Sequence, residues 1–141
     1  MMEQPRLPIY LLLDTSASMA GEPLEAMKQG LKALLSELKQ DAQTREDGFL
    51  AMIAFDTIAR QILPLTPIRQ AAVPPLRAGG VSSLEGALRL LAHCLQNDLR
   101  PADSKPIVFL MTDGSWLEAA GELKCELEKL DMQFICCAAG A

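Results

Sequence analysis

The sequence lacks the patterns that mark several large classes of protein. It has one histidine, His93, which is predicted to lie within a helix, and its four cysteines form no C-x-x-C pair, so a zinc site is not expected. No apolar run approaches the roughly 20 residues that cross a bilayer, and the first eight residues are too short and polar for a signal peptide. We therefore expect a soluble, cytoplasmic protein with reduced, buried thiols.

Basic residues are also few. The chain has 13 lysines and arginines against 18 acidic residues, for a net charge of −5, and the basic residues are scattered. Binding to nucleic acid needs clustered positive charge, so a nucleic acid is not an expected partner; the shortness of the apolar runs likewise argues against a membrane. With 141 residues, half of them hydrophobic, the chain is predicted to form a single domain over 1–141.

Short apolar segments alternate with helical patterns along the chain. Nearly continuous apolar runs predict buried strands at 7–14, 49–55, 106–113 and 132–138. Alternating residues around an internal proline predict an antiparallel edge strand at 59–65. Helical spacing predicts helices at 23–38, 84–99 and 116–130, whereas prolines and glycines predict a loop at 66–81. This order of elements predicts an α/β fold with a doubly wound, mostly parallel sheet.

Two of the predicted strands end in an aspartate, Asp14 and Asp113. Ligands of doubly wound sheets bind beyond the carboxyl ends of the strands, where the strand order reverses. Asp14 is followed by Ser16 and Ser18, so a carboxylate and two hydroxyls stand close together in the chain. These hard oxygens are suited to Mg²⁺ or Mn²⁺, and we predict a divalent-cation site here.

Three segments together resemble the metal-ion-dependent adhesion site of von Willebrand factor A domains. They are Asp14-x-Ser16-x-Ser18, Gly80-x-Ser82-x-Leu84 and Thr112-Asp113-Gly114. The resemblance covers nearly the whole chain and implies a Rossmann-like sheet of strand order 3-2-1-4-5, with strand 3 as the antiparallel edge. It also implies a site in which Ser16, Ser18 and Ser82 bind Mg²⁺, or Mn²⁺ or Ca²⁺, directly. Asp14 and Asp113 would act directly or through water, and an Asp or Glu of a partner protein would replace one bound water.

Within that family, segments 10–16, 21–26, 63–67 and 108–114 are similar to the TerY-like subgroup of bacteria, which is associated with tellurium resistance and chemical stress. The resemblance implies kinase-like and phosphatase-like partner proteins in a stress-response complex.

The chain departs from the family pattern in two places. Ser82 stands where threonine is usual, and Ser83 offers the same hydroxyl if the register differs by one; Ser82 with Glu85 also forms a capping-box pattern that needs no metal. The family usually continues past the fifth strand with another strand and a closing helix, which this sequence does not have. We expect the last strand to be an exposed edge, which indicates either a truncated sequence or pairing of that edge by strand exchange, self-association or partner binding; a solution mass would test the pairing.

Other functions are compatible with the same residues. An Mg²⁺-dependent phosphatase would use Asp14 as its nucleophile, but Ser16 stands where such enzymes carry a second acid. A serine hydrolase would have only His93 as its base. A domain without metal would serve as an assembly scaffold. The hypothesis that we favour is a recognition module without catalytic activity.

Overall fold

The structure is a computed structural model that describes residues 5–81, 83–112 and 132–138. Within these residues, five strands form one sheet: β1 (Leu7–Asp14), β2 (Gly48–Phe55), β3 (Ala59–Pro67), β4 (Ile107–Thr112) and β5 (Gln133–Ala138). The helices are α1 (Glu22–Gln40), α2 (Ala42–Asp47) and α3 (Leu84–Asp98), and two 3-10 turns cover Ala17–Met19 and Ile68–Gln70. The helix predicted over 116–130 lies outside the described residues.

The strand order is β3-β2-β1-β4-β5, as predicted. β1 pairs in parallel with β2 and β4, and β4 pairs in parallel with β5, whereas β3 is antiparallel to β2. The chain passes from β1 to β2 on one side of β1 and later returns to β4 on its other side. The switch point of the sheet therefore lies between the carboxyl ends of β1 and β4.

Helices cover both faces of the sheet, because the central strands carry apolar side chains on both faces. On one face, Leu11 and Leu13 of β1 pack with Met27 and Leu31 of α1. On the other, Tyr10 and Leu12 pack with residues of α3, among them Ala87, Leu91 and Cys94. A strand buried on both faces needs apolar side chains at every position, which is why β1 was recognisable in the sequence.

The ends of the helices follow local hydrogen bonding. α1 begins at Glu22, so Pro23 occupies the second helical position and not the predicted first. α3 ends at Asp98, one residue before the predicted end. Its N-cap is Ser83, whose Oγ accepts a hydrogen bond from the Gly86 N–H at 3.3 Å, so the cap lies one residue beyond the Ser82 of the capping-box interpretation.

Two features of the fold were not predicted. The six-residue helix α2 begins where the Asp41 carboxylate accepts a hydrogen bond from the Thr44 N–H at 2.9 Å. β3 also continues past Pro64 to Pro67, beyond the predicted 59–65. Proline is tolerated there because β3 is an edge strand, and the pairing with β2 is irregular on both sides of Met52.

Cys94 is a free thiol buried in the α3 layer, as expected. Burial and, to a smaller degree, the charge of Asp98 raise the pKa of this thiol. A raised thiol pKa favours the unreactive protonated form, so Cys94 acts as a small core residue.

Candidate metal centre

Asp14 is the last residue of β1, and its carboxylate is fully buried. Its Oδ1 accepts hydrogen bonds from the Ser16 N–H at 3.0 Å and from the Ser16 hydroxyl at 2.7 Å. Its Oδ2 accepts a hydrogen bond from the Thr112 hydroxyl at 2.9 Å. Both carboxylate oxygens are thus held in place, one by the loop after β1 and the other by the end of β4, across the switch point.

The loop after β1 stacks two hydroxyls above this carboxylate. Ser16 Oγ lies 3.0 Å from Ser18 Oγ as well as 2.7 Å from Asp14 Oδ1. The 3-10 turn returns the chain over Ser16, because the Met19 N–H donates to the Ser16 carbonyl at 2.9 Å and the Met19 side chain is buried. Ser16 is buried and Ser18 is exposed, so the three oxygens lead from the interior to the surface.

A strip formed by residues 79–81 lies against this loop. The Gly79 N–H donates to the Thr15 carbonyl, and the Ala17 N–H donates to the Gly80 carbonyl, both at 2.9 Å. Gly80 has a φ of +78°, a conformation that side chains disfavour. This glycine therefore allows the loop before α3 to run beside the loop after β1.

Of the five predicted site residues, the structure brings together Asp14, Ser16 and Ser18. Ser82 and Asp113 lie outside the described residues. Thr112 belongs to the third motif but is not among the predicted site residues, although its hydroxyl donates directly to Asp14. The available signal was its place at the end of a strand next to β1.

The described donors fit a hard cation. Asp14, Ser16 and Ser18 supply oxygen atoms only, which is the ligand type that Mg²⁺ prefers. Over 5–81, 83–112 and 132–138, no three His, Cys, Asp or Glu side chains form a metal-binding group. The candidate site in this part of the chain is therefore one carboxylate with hydroxyls, and not a carboxylate cage or a thiolate site.

None of the helices in the described part of the chain has the length and apolar character needed to cross a membrane.

An open sheet with helices on both faces, whose strand order reverses between β1 and β4, defines a doubly wound α/β domain. Residues 9–115 match the family model described as the von Willebrand factor type A domain. The chain belongs to this family, as the resemblance implied.

The chain is also similar to individual proteins. The uncharacterized protein sll0103 of Synechocystis sp. is 32% identical over 117 residues, which cover 77% of this chain and 26% of that protein. The pilus adhesin SpaC of Lactobacillus rhamnosus GG superimposes with a TM-score of 0.65 at 22% identity, over 80% of this chain and 15% of SpaC. BatB of Bacteroides thetaiotaomicron has a TM-score of 0.61 at 20% identity, over 94% of this chain and 66% of BatB.

The two structural likenesses show a shared fold. The chain spans about a quarter of the length of the Synechocystis relative.

Proposed function

We propose that this domain is a metal-ion-dependent protein-recognition module that binds Mg²⁺ at the switch point and captures a carboxylate of a partner protein. The hydroxyls of Ser16, Ser18 and Ser82 would hold the ion, with Asp14 and Asp113 in direct or water-mediated contact. The observation that carries the proposal is the position of Ser16 Oγ, 2.7 Å from Asp14 Oδ1 and 3.0 Å from Ser18 Oγ. Mg²⁺ keeps several waters in its octahedral shell, and an Asp or Glu of the partner would replace one.

The helix cap supports Ser82, in preference to Ser83, as the third hydroxyl. Ser83 Oγ already accepts a hydrogen bond from the first turn of α3. Capping Ser or Thr side chains typically stabilise a helix by about 1 kcal/mol, and turning Ser83 towards an ion would lose that bond.

A protein partner is supported by the surface beside the loop. Ile58 is 62% exposed and Val81 is 74% exposed, and they are the exposed large hydrophobic residues of the described chain. They are neighbours, because the Val81 N–H donates to Thr57 Oγ1 at 3.2 Å. Val81 also ends the strip beside the site loop, so two exposed apolar side chains lie near the candidate metal site, where a bound partner would bury them. SpaC, which shares the fold, is a pilus adhesin.

A recognition role is better supported than catalysis. A nucleophilic Asp14 would need an accessible carboxylate oxygen, yet its side chain is fully buried and both oxygens accept hydrogen bonds. We extend the proposal to the TerY-like subgroup, with a cytoplasmic role in tellurium resistance or stress response beside kinase-like and phosphatase-like proteins. The segments 10–16 and 108–114, which carry the subgroup resemblance, support this extension, and within them 10–14 and 108–112 lie on the two sides of the switch point.

Calorimetric titration with Mg²⁺ and with Mn²⁺ tests the proposal. We expect the wild type to bind one ion, and Asp14→Asn to weaken that binding at least about tenfold, because the variant loses the negative charge and one of the two carboxylate oxygens that hold the hydroxyls of Ser16 and Thr112. Asp47→Asn is the matched control. Asp47 ends α2 beside the amino end of β2, whereas Asp14 lies at the carboxyl end of β1. Wild-type protein that binds neither ion, or equal affinities for wild type and Asp14→Asn, would reject the metal site.

A further inference from the structure

A cavity of about 210 Å³ opens beside the site loop, on the side of β3. Its walls come from the loop after β1, from the β2–β3 hairpin and from the loop before residue 78. They include Thr15, Ala54, Arg60, Ile62, Leu76 and Arg77. Ala54 pairs with both Leu13 and Arg60 in the sheet, so the cavity lies near the carboxyl ends of β1 and β2, as Asp14 does.

Thr15, one of the residues that line this cavity, has an unpartnered hydroxyl. The residue is 1% exposed, and its Oγ1 is the buried side-chain polar atom of the described chain that has no hydrogen bond. Its backbone is satisfied, because the Thr15 N–H donates to the Phe55 carbonyl and its carbonyl accepts from Gly79. Buried hydroxyls nearly always have a partner, so this one indicates an acceptor that arrives with a ligand.

Two arginines border the same cavity in a chain of net charge −5. Arg77 is exposed and makes no ion pair within 5–81, 83–112 and 132–138. Arg60 contacts Asp56 through one Nη at 3.4 Å, and a guanidinium has five N–H donors. The planar guanidinium matches a carboxylate in geometry as well as in charge.

We propose that this cavity binds a carboxylate, with Thr15 Oγ1 as a hydroxyl donor and Arg60 and Arg77 as its cationic partners. The identity of the ligand rests on the proposed function: it is a second acidic side chain of the segment whose first acid reaches the cation. Thr15 lies between Asp14 and Ser16 in the chain, so the two subsites share one loop. Binding at the cavity itself requires no metal.

The test is a titration of ¹⁵N-labelled protein, in the presence of a chelator, with a blocked Glu-Gly-Glu tripeptide and with its Gln-Gly-Gln counterpart. We expect saturable shifts of the Thr15, Ala54 and Arg77 amide signals with the acidic peptide alone. Arg60→Gln, Arg77→Gln and Thr15→Val should each weaken that binding about tenfold, the usual effect of losing one hydrogen bond to a charged group.

Arg89→Gln is the matched control and should bind normally. Arg89 is an exposed arginine paired with an acid four residues earlier, Glu85, as Arg60 is with Asp56. Thr15→Val should leave the melting temperature of the free protein unchanged or raised, because it removes an unsatisfied hydroxyl. A purely structural hydroxyl would leave peptide affinity intact in that variant, which would overturn the role of Thr15.

The remaining outcomes separate the two proposals. Shifts that are absent, or that appear equally with the neutral peptide, overturn the carboxylate site even if Mg²⁺ binds. Tighter binding of inorganic phosphate than of the acidic peptide overturns the assignment to a carboxylate. Peptide shifts at the cavity in a protein that fails to bind Mg²⁺ would uphold the cavity and reject the metal site alone.

Discussion

The hydrogen bond between Thr112 and Asp14 joins residues 98 positions apart at the carboxyl ends of two neighbouring strands. Thr112→Val keeps the shape of the side chain but leaves Asp14 Oδ2 buried without its donor. We expect the free energy of unfolding to fall by about 1.5–3 kcal/mol, the range for hydrogen bonds to charged groups, in urea titrations. Thr66→Val, on the edge strand β3, should have a much smaller effect. Equal losses in the two variants would show that the Asp14 contact contributes little.

Tyr10 provides a second test on one side chain. It is fully buried, its hydroxyl lies 3.1 Å from Asp98 Oδ2, and it is the single tyrosine of the sequence. Burial, followed by the negative charge of Asp98 and the hydrogen bond to it, raises the pKa of Tyr10 far above its ordinary value of 10.0. The folded state therefore holds this proton more tightly than the unfolded state does.

The stability that Tyr10 confers is fully present below pH 10.0 and is lost as the pH rises above that value, because the unfolded chain then ionises first. We expect the absorbance of tyrosinate to appear only together with unfolding, and Tyr10→Phe to lose less stability than the wild type between neutral and alkaline pH. Tyrosinate that forms reversibly in folded protein near pH 10.0 would contradict this reading of the core.

At the scale of elements, the strip 79–81 depends on Gly80. A Cβ added at Gly80 would lie 2.5 Å from Thr57 Oγ1, and φ is +78°. Gly80→Ala should therefore destabilise the protein by about 1–3 kcal/mol. Gly30→Ala should stabilise it by about 0.5–1 kcal/mol, because Gly30 lies within α1 with open space around its Cα. Denaturant titrations of both variants measure these changes in the free energy of unfolding. An unchanged value for Gly80→Ala would show that the strip does not depend on this backbone conformation.

The difference between local sequence patterns and contacts between distant residues explains which elements could be predicted. β1 was predicted residue for residue, since burial on both faces makes its whole length apolar. The helix α2 was missed because Ala42–Asp47 buries no side chain and so has no apolar stripe. The end of β3 was missed because the prolines and glycines of 66–81, beginning with Pro67, predicted a loop from residue 66, whereas an edge strand tolerates proline.

The candidate site divides in the same way. Asp14, Ser16 and Ser18 belong to one short segment, so the sequence pattern could place them together. The bond from Thr112 to Asp14 depends on two strands that are distant in the chain, and no local pattern contains it. The unpartnered hydroxyl of Thr15 depends on how residues 76–79 cover the loop.

At the scale of the whole molecule, metal binding should appear as stability. A ligand that binds only the folded state stabilises it by about 1.4 kcal/mol at ten times its dissociation constant. For a domain of this size that corresponds to a rise of about 3–6 °C in melting temperature. We expect Mg²⁺ at this concentration to raise the melting temperature of the wild type clearly more than that of Asp14→Asn. Identical melts with and without Mg²⁺ would instead favour the metal-free scaffold.

The strip 79–81 is bonded on one side to Thr15 and Ala17 and on the other, through Val81, to Thr57. A protein ligand that contacted Val81 would therefore act on the strip whose hydrogen bonds hold the residues on either side of Ser16. Energetic coupling between two sites is reciprocal. An ion that raises the affinity for the protein ligand by some factor therefore has its own affinity raised by the same factor when that ligand binds. Under the proposed function, release of either one would therefore weaken the binding of the other, although the partner contacts Val81 and the ion contacts Ser16.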